Sequence, residues 1–275
     1  MSKKRKIMNF LNYAKVYFGI GISLAILLSI LLLIVINGAQ SLSFEFVFSL
    51  NAPRGFSLAP MIVTTFIIVI ITLIISVPLG IGAAIYLNEY ASQNSKIVKI
   101  IRASITTLSG IPSIIYGLFG FLFYVVVLGW TWSLQAGIFT VAIMILPIII
   151  RSTEDTLQAI PMSYRMGSYA LGAGKFHTIR KVIVPAAING ILASIILSVG
   201  RLVGETAALL LTAGTLLDMP SSLNSSGATL SVFMYLITVE HGDMERAYAT
   251  AMVLMTLVLG LNLLANFVAK KLKKV

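Results

Sequence analysis

Residues 61–84 read MIVTTFIIVIITLIISVPLGIGAA, twenty-four positions without a charge. As a helix this run is about 36 Å long at 1.5 Å per residue, enough to cross a hydrocarbon layer of about 30 Å. Five more apolar stretches of spanning length follow from the sequence, at about 17–36, 105–128, 134–150, 186–213 and 247–267. Only 11% of the 275 residues are charged and 58% are hydrophobic, whereas a soluble domain carries roughly a quarter charged residues. The expected fold class is all-α integral membrane, with six transmembrane helices in one domain.

The net charge of +11 raises the question of a nucleic-acid partner, and the placement of the charges argues against one. Six spans put both termini on one side. That side holds Lys3, Lys4, Arg5, Lys6 and Lys15, then Lys96, Lys99 and Arg102. It also holds Arg151, Arg165, Lys175, Arg180 and Lys181, with Lys270, Lys271, Lys273 and Lys274 at the tail, in all seventeen of the 20 cations. Arg54 and Arg246 face the other way and Arg201 lies within a span. The positive-inside rule then assigns the cation-rich side, with both termini, to the cytoplasm of a cell membrane. KKRK before an apolar run resembles a signal peptide, but the run is long and lacks a small-x-small cleavage site, so it reads as a retained first helix.

The expected organisation is a cytoplasmic segment at 1–16, a six-helix domain at 17–268 and a basic cytoplasmic tail at 269–275. Outside loops fall at 37–60 and 214–246, and a tight turn at 129–133 makes the third and fourth spans an antiparallel hairpin. With no cysteine, disulfides and thiolate sites are excluded. His177 and His241 are too few and too separated to suggest a metal centre.

The largest inside loop, about 151–185, reads RSTEDTLQAIPMSYRMGSYALGAGKFHTIRKVIVP. STED suits a helix N-terminus, Pro161 interrupts the segment, and Pro185 closes it where the fifth span begins. Small residues between the prolines, Gly167, Ser168, Ala170, Gly172, Ala173 and Gly174, allow close approach of another surface. Such a helix either rests on the bilayer with its basic residues at the headgroups or docks a cytoplasmic partner. GAGKFHT imitates the end of a phosphate-cradling loop, G-x-x-x-x-G-K-[ST]. Tyr169 occupies the first glycine position and Phe176 follows Lys175, so the chain is not expected to bind ATP itself.

GSYALGAGKFHTIRKVIVP resembles the cytoplasmic EAA loop of ABC-importer permeases, E-A-A-x-x-x-G-x9-I-x-L-P. Gly172 matches the glycine, Pro185 the proline, and Gly167 and Ser168 the small positions, while Met166 stands where the glutamate would be. VPLGIGAAIYLNEYA (77–91), SGIPSIIYGLFG (109–120), LPIIIRSTEDTLQAIP (146–161) and GRLVGETAALLLTAG (200–214) are similar to the A-type permease subunits of phosphate ABC transporters. The resemblance implies a type I ABC importer permease fold and docking of a cytoplasmic ATPase through Gly167, Ser168, Gly172 and Pro185. It implies a paired C-type permease, two copies of the ATPase holding ATP and Mg, and an extracytoplasmic phosphate-binding protein. It also ties phosphate passage to Arg151, Arg201 and Glu205.

The residues point the same way on their own. Arg201 lies 16 residues beyond Pro185, about 24 Å along a helix. Facing lipid there costs on the order of 2.5–3.5 kcal/mol, so it must face protein or water. Glu205 at i+4 falls on the same helical face, and the two either neutralise each other or serve a pathway. Guanidinium offers forked donors for phosphate oxygens, and the carboxylate tempers the binding. Gly200 and Gly204 form a small-xxx-small pair suited to a helix contact. Arg151, at the inner end of the fourth span, is either an ordinary interfacial anchor or an anion exit site. Pro78 and Pro112, with Gly80, Gly82, Gly110 and Gly117, kink helices or let them pack closely. Tyr116, Tyr124, Trp130 and Trp132 read as interfacial anchors. Other oxyanions, sulfate or molybdate, are the nearest alternative cargo. A secondary carrier would show an internal repeat with broken helices, and a membrane enzyme would need an H-E-x-x-H or paired intramembrane aspartates.

Overall fold

The computed structural model describes residues 3–49 and 57–272, all of them helix or connecting loop. Arg54 and the final cations Lys273 and Lys274 lie outside the described residues. The helices are α1 (Lys3–Ser41), α2 (Phe44–Phe48), α3 (Ala59–Ile85), α4 (Lys96–Ser109), α5 (Ser113–Gly120) and α6 (Leu134–Gln158). They continue with α7 (Met162–Ala170), α8 (Lys175–Thr178), α9 (Val184–Val203), α10 (Ala207–Thr212), α11 (Leu230–Val239) and α12 (Met244–Leu272). Wider, π-type turns extend α3 through Tyr90, extend α5 through Val127, and join α8 to α9 without a break.

Among the described residues five helical runs are long and apolar enough to cross a membrane: Asn12–Ser41, Ala59–Tyr90, Leu134–Gln158, Lys175–Val203 and Met244–Phe267. The sixth expected span, 105–128, is not one helix. Lys96–Ser109 and Ser113–Val127 meet at 100°. The cause is local: α4 closes with the Gly110 and Ile111 amides on the carbonyls of Thr107 and Leu108. Pro112, extended at φ −57° and ψ 139°, then starts α5 without an N–H to give the preceding turn.

Three further boundaries differ from the sequence reading. STED does not begin a helix; α6 carries it inside and ends only at Gln158, so the fourth span outlasts its apolar run. Pro185 does not close a loop, because the helix it was expected to open already begins at Lys175. The π-type turn at Ile179–Ile183 precedes Pro185 and loosens the backbone where proline removes a donor. The fifth span ends at Val203 rather than 213.

α3 and α6 form the centre of the bundle, and α9, α11 and α12 close around them. Met61, Ile68, Met144, Ile145, Ile149 and Phe233 are fully enclosed there. Glycines set several crossings. A β-carbon on Gly80 would lie 2.6 Å from Ile149, and one on Gly117 would lie 2.8 Å from Ala208. Gly120 meets Thr140 and Gly190 meets Thr156 just as closely. Gly82, by contrast, has open space beside it, as do Gly200 and Gly204 apart from the latter's own helix. The expected helix contact at Gly200 and Gly204 is therefore not made within this chain. α1 packs along α12 with Gly38 against Tyr248 and Met252, and leaves many apolar side chains between Tyr13 and Ile36 exposed.

The hairpin between α5 and α6 forms as expected. Gly129 at φ +68° turns the chain, and Ser133 caps α6 by accepting from the Ala136 amide. Tyr124 stacks on Trp130 beside this turn, ring centres 5.2 Å apart. Tyr116 is not an interfacial anchor: it is buried in the core, its hydroxyl donating to the Leu108 carbonyl at 2.9 Å.

Candidate functional site

Helix α9 delivers Arg201 in its last turn, and the Gly204 amide closes that turn on the Gly200 carbonyl at 3.3 Å. With the helix ended there, Glu205 is not one turn above Arg201. Its Oε1 instead accepts from the Ala208 amide at 3.1 Å, capping α10. The Glu205 carbonyl accepts from the Ser231 hydroxyl at 2.6 Å, and the Leu230 amide next to Ser231 donates to Thr65 Oγ1 at 3.0 Å. Glu205 is thus only 6% exposed and held from α10 and α11.

Arg201 goes the other way. Its side chain is exposed on α9. Among the described residues Arg201 and Glu205 form no ion pair, so the mutual neutralisation expected from their spacing is replaced by a divergence. Exposed positions on the same broad face of α9 include Asn189, Ala193, Leu197 and Gly204. Arg151 is exposed on α6, 17 residues or about 26 Å from its first residue, and shares no polar contact with the other two.

The opposite end of α9 belongs to the α7–α8 hairpin. α7 ends on a left-handed residue, Gly172 at φ +82°, with the Ala173 amide on the Ser168 carbonyl at 3.2 Å. This is a glycine-terminated helix end. Gly172 is glycine because of the turn; nothing crowds the place of its missing β-carbon, nor those of Gly167 and Gly174. Ser168 faces inward and exchanges a 2.8 Å hydrogen bond with Thr178, tying α7 to α8. The surface left over is open and apolar: Leu171 is 90% exposed, and Met162, Met166 and Phe176 are exposed beside it. A cleft of about 710 Å³ runs between Ser163, Gly167, Leu171 and His177.

Two ion pairs, one enclosed and one partly exposed, fix this end of the bundle, and the sequence reading missed both. Arg165 on α7 reaches Glu89 at the end of α3 at 2.6 Å, the side chains 11% and 5% exposed. It also donates to the carbonyls of Leu157 and Ile160. Arg102 on α4 reaches Glu154 on α6 at 2.6 Å and the Leu87 carbonyl at 3.0 Å. Lys175 lies 4.9 Å from the centre of the Tyr90 ring, a cation–π contact. The available clue was Glu89 itself, an acid closing a long uncharged run on the cation-rich side. Among the described residues no three acidic or histidine side chains gather as metal ligands would.

A family model described as binding-protein-dependent transport system inner membrane component matches residues 76–274. The chain belongs to that family. It is a multi-pass membrane permease, and the α7–α8 hairpin, the break at Glu205 and both ion pairs lie inside the matched region. A probable ABC transporter permease protein, YqgI of Bacillus subtilis, is 38% identical over 69% of this chain and 65% of its own length. The chain thus spans just under two thirds of that relative. The phosphate transport system permease protein PstA of Yersinia pestis is 31% identical over 98% of this chain and 92% of its own length. Among solved structures, a bacterial alginate ABC transporter in complex with a pentasaccharide-bound periplasmic protein superposes with a TM-score of 0.72 at 16% identity. That match covers 99% of this chain and 98% of the other. At such identity the likeness is one of fold, the type I ABC importer permease architecture.

Proposed function

We propose that this chain is one of two permease subunits that together form a path for inorganic phosphate in an ATP-driven importer. The observation that carries the reading is Arg201: a guanidinium in the last turn of a membrane-crossing helix, exposed and forming no ion pair with Glu205, whose carboxylate is engaged by the Ala208 amide. Such a charge calls for water and an anion rather than lipid. The name of the Yersinia relative supplies the anion's identity. Arg201 offers paired donors to phosphate oxygens. Glu205, engaged by its own helix, leaves that charge available while keeping a carboxylate close enough to limit how tightly the anion is held.

In this reading the second, C-type permease covers the Arg201 face, and an extracytoplasmic binding protein delivers phosphate at the end bearing the α5–α6 turn. Two ATPase subunits, holding ATP and Mg, dock on the α7–α8 hairpin. Leu171 and Met166 supply apolar contact there, and Gly167, Ser168, Gly172 and Pro185 shape the surface. The hairpin end and both termini are cytoplasmic. Arg151, nearer that end, is the exit-side cation.

Radiolabelled phosphate uptake by membrane vesicles carrying the assembled complex tests the cargo, with sulfate and molybdate as competitors. Competition by sulfate at equal concentration would reassign the oxyanion. Gly167→Trp tests docking without disturbing a positive-φ turn: the expected outcome is loss of ATPase co-purification with normal membrane insertion. Cysteines placed singly in this cysteine-free chain test orientation. Ser222→Cys should label from outside, and Ser163→Cys only after permeabilisation.

A further inference from the structure

We propose that α3 is a strut linking the α7–α8 hairpin to the Glu205 break, gripped at each end by specific polar contacts. The proposal rests on the reading of that hairpin as the ATPase dock. The helical run from Ala59 to Tyr90 is 32 residues long, about 48 Å. At one end the guanidinium of Arg165 holds Glu89 with contacts at 2.6 and 3.3 Å, and Lys175 stands over Tyr90. Both cations come from the hairpin, and both acceptors sit on the last turn of the α3 run.

At the other end Thr65 Oγ1 accepts from the Leu230 amide, and the adjoining Ser231 hydroxyl donates to the Glu205 carbonyl. Thr65 and Ser231 are fully buried, so neither contact can be replaced by bulk water. Between the two grips α3 is packed against α6 and α9 along much of its length, and Thr72, Ser76, Gly80 and Ala84 on that face are buried. The run stays continuous through Pro78 and the π-type turn at Tyr86–Tyr90, and a continuous helix held by packing and by polar contacts near its ends can carry displacement between them.

The arrangement gives Glu89 and Arg165 a positioning role. A shift of the hairpin draws on the end of α3 through a buried ion pair rather than through a sliding apolar contact. The first turn of α11, at Leu230 and Ser231, then repositions the Glu205 backbone, and with it the Arg201 turn. Coupling energies of this kind correspond to about 5- to 150-fold changes between linked sites.

The test uses the assembled complex of permeases and ATPase, with Gly204→Cys as the sole cysteine. Gly204 is exposed and has no atom of another element near its missing β-carbon. Its labelling rate with a water-soluble maleimide is measured with and without vanadate-trapped ATP. The expected result is a rate that changes with ATP in the parent. The change should disappear in Glu89→Gln/Arg165→Gln and shrink at least about fivefold in Thr65→Val, while ATP hydrolysis continues. Retention of the parent response in either assembled variant overturns the proposal, as does a parent rate that ATP leaves unchanged. If the double variant does not assemble, Thr65→Val decides alone. Labelling requires no phosphate, so an intact ATP response without phosphate uptake would sink the cargo assignment and leave the strut standing.

Discussion

Arg165 and Glu89 lie 76 residues apart in the chain and meet at 2.6 Å; Arg201 and Glu205 lie four residues apart and do not meet. Both pairs combine the same two residue types, and each has one member at the end of a membrane-crossing run, Glu89 on that of α3 and Arg201 on that of α9. The first pair is almost fully enclosed, and the Leu157 and Ile160 carbonyls take up further donors of the arginine. In the second, the carboxylate has become a helix cap and the guanidinium is left outward. A buried pair of complementary charges with its donors satisfied holds geometry. A charge whose nearest counter-ion is engaged elsewhere is available to something that arrives.

The contrast can be broken most decisively at Arg201. Arg201→Gln should lower phosphate uptake by more than about 30-fold, as removal of a charged partner worth roughly 2 kcal/mol or more implies, while complex yield stays at the parent level. Arg201→Leu/Glu205→Leu should not recover flux, because no pair exists to be replaced by apolar packing. Parent-level uptake by that double variant would make both residues scaffolding.

Arg102→Gln, at a structural pair, should show the reverse pattern: loss of stability rather than of turnover. Leaving Glu154 unpaired costs roughly 2–3 kcal/mol, less than the 3–5 kcal/mol of a fully enclosed pair because Arg102 is partly exposed. Thermal unfolding in detergent and the yield of assembled complex measure it. An unchanged midpoint with reduced uptake would move Arg102 to the transport side of the comparison.

Smaller effects sharpen the two regions further. Gly172→Ala should destabilise by about 1 kcal/mol, since alanine strains at positive φ. The loss should appear in the unfolding midpoint with ATPase binding retained. Glu205→Gln keeps an acceptor for the Ala208 amide, so stability should move by only a few tenths of a kcal/mol. The effect to look for is slower phosphate release. A large drop in stability from Glu205→Gln would show that the charge itself, not the cap, holds the break.

The apolar runs made most of the membrane helices legible, because a span is a property of consecutive residues. Axis direction is not. Hydropathy read 105–128 as one continuous span, whereas Gly110 and Pro112 turn the chain through 100° inside it. Likewise Gly204 ends α9 in the middle of an apolar run, and the i+4 argument for Glu205 failed with the helix it assumed. Of the hairpin residues that the sequence singles out for docking, Gly172 serves a turn and Ser168 an internal hydrogen bond. Glu89 and Glu154 escaped notice because their partners are 76 and 52 residues away, a separation that local spacing rules do not reach.

The bend at Gly110 also has a consequence for the surrounding lipid. What remains of the third crossing, Ser113–Val127, is 15 residues, about 22 Å of helix against a hydrocarbon thickness near 30 Å. A bilayer matched to α5 alone would thin beside it, drawing headgroups inward toward α4. Lys96 and Lys99, exposed on α4, sit where those displaced headgroups gather. A thicker membrane would resist that dimple, so acyl-chain length becomes a variable to which this permease should respond.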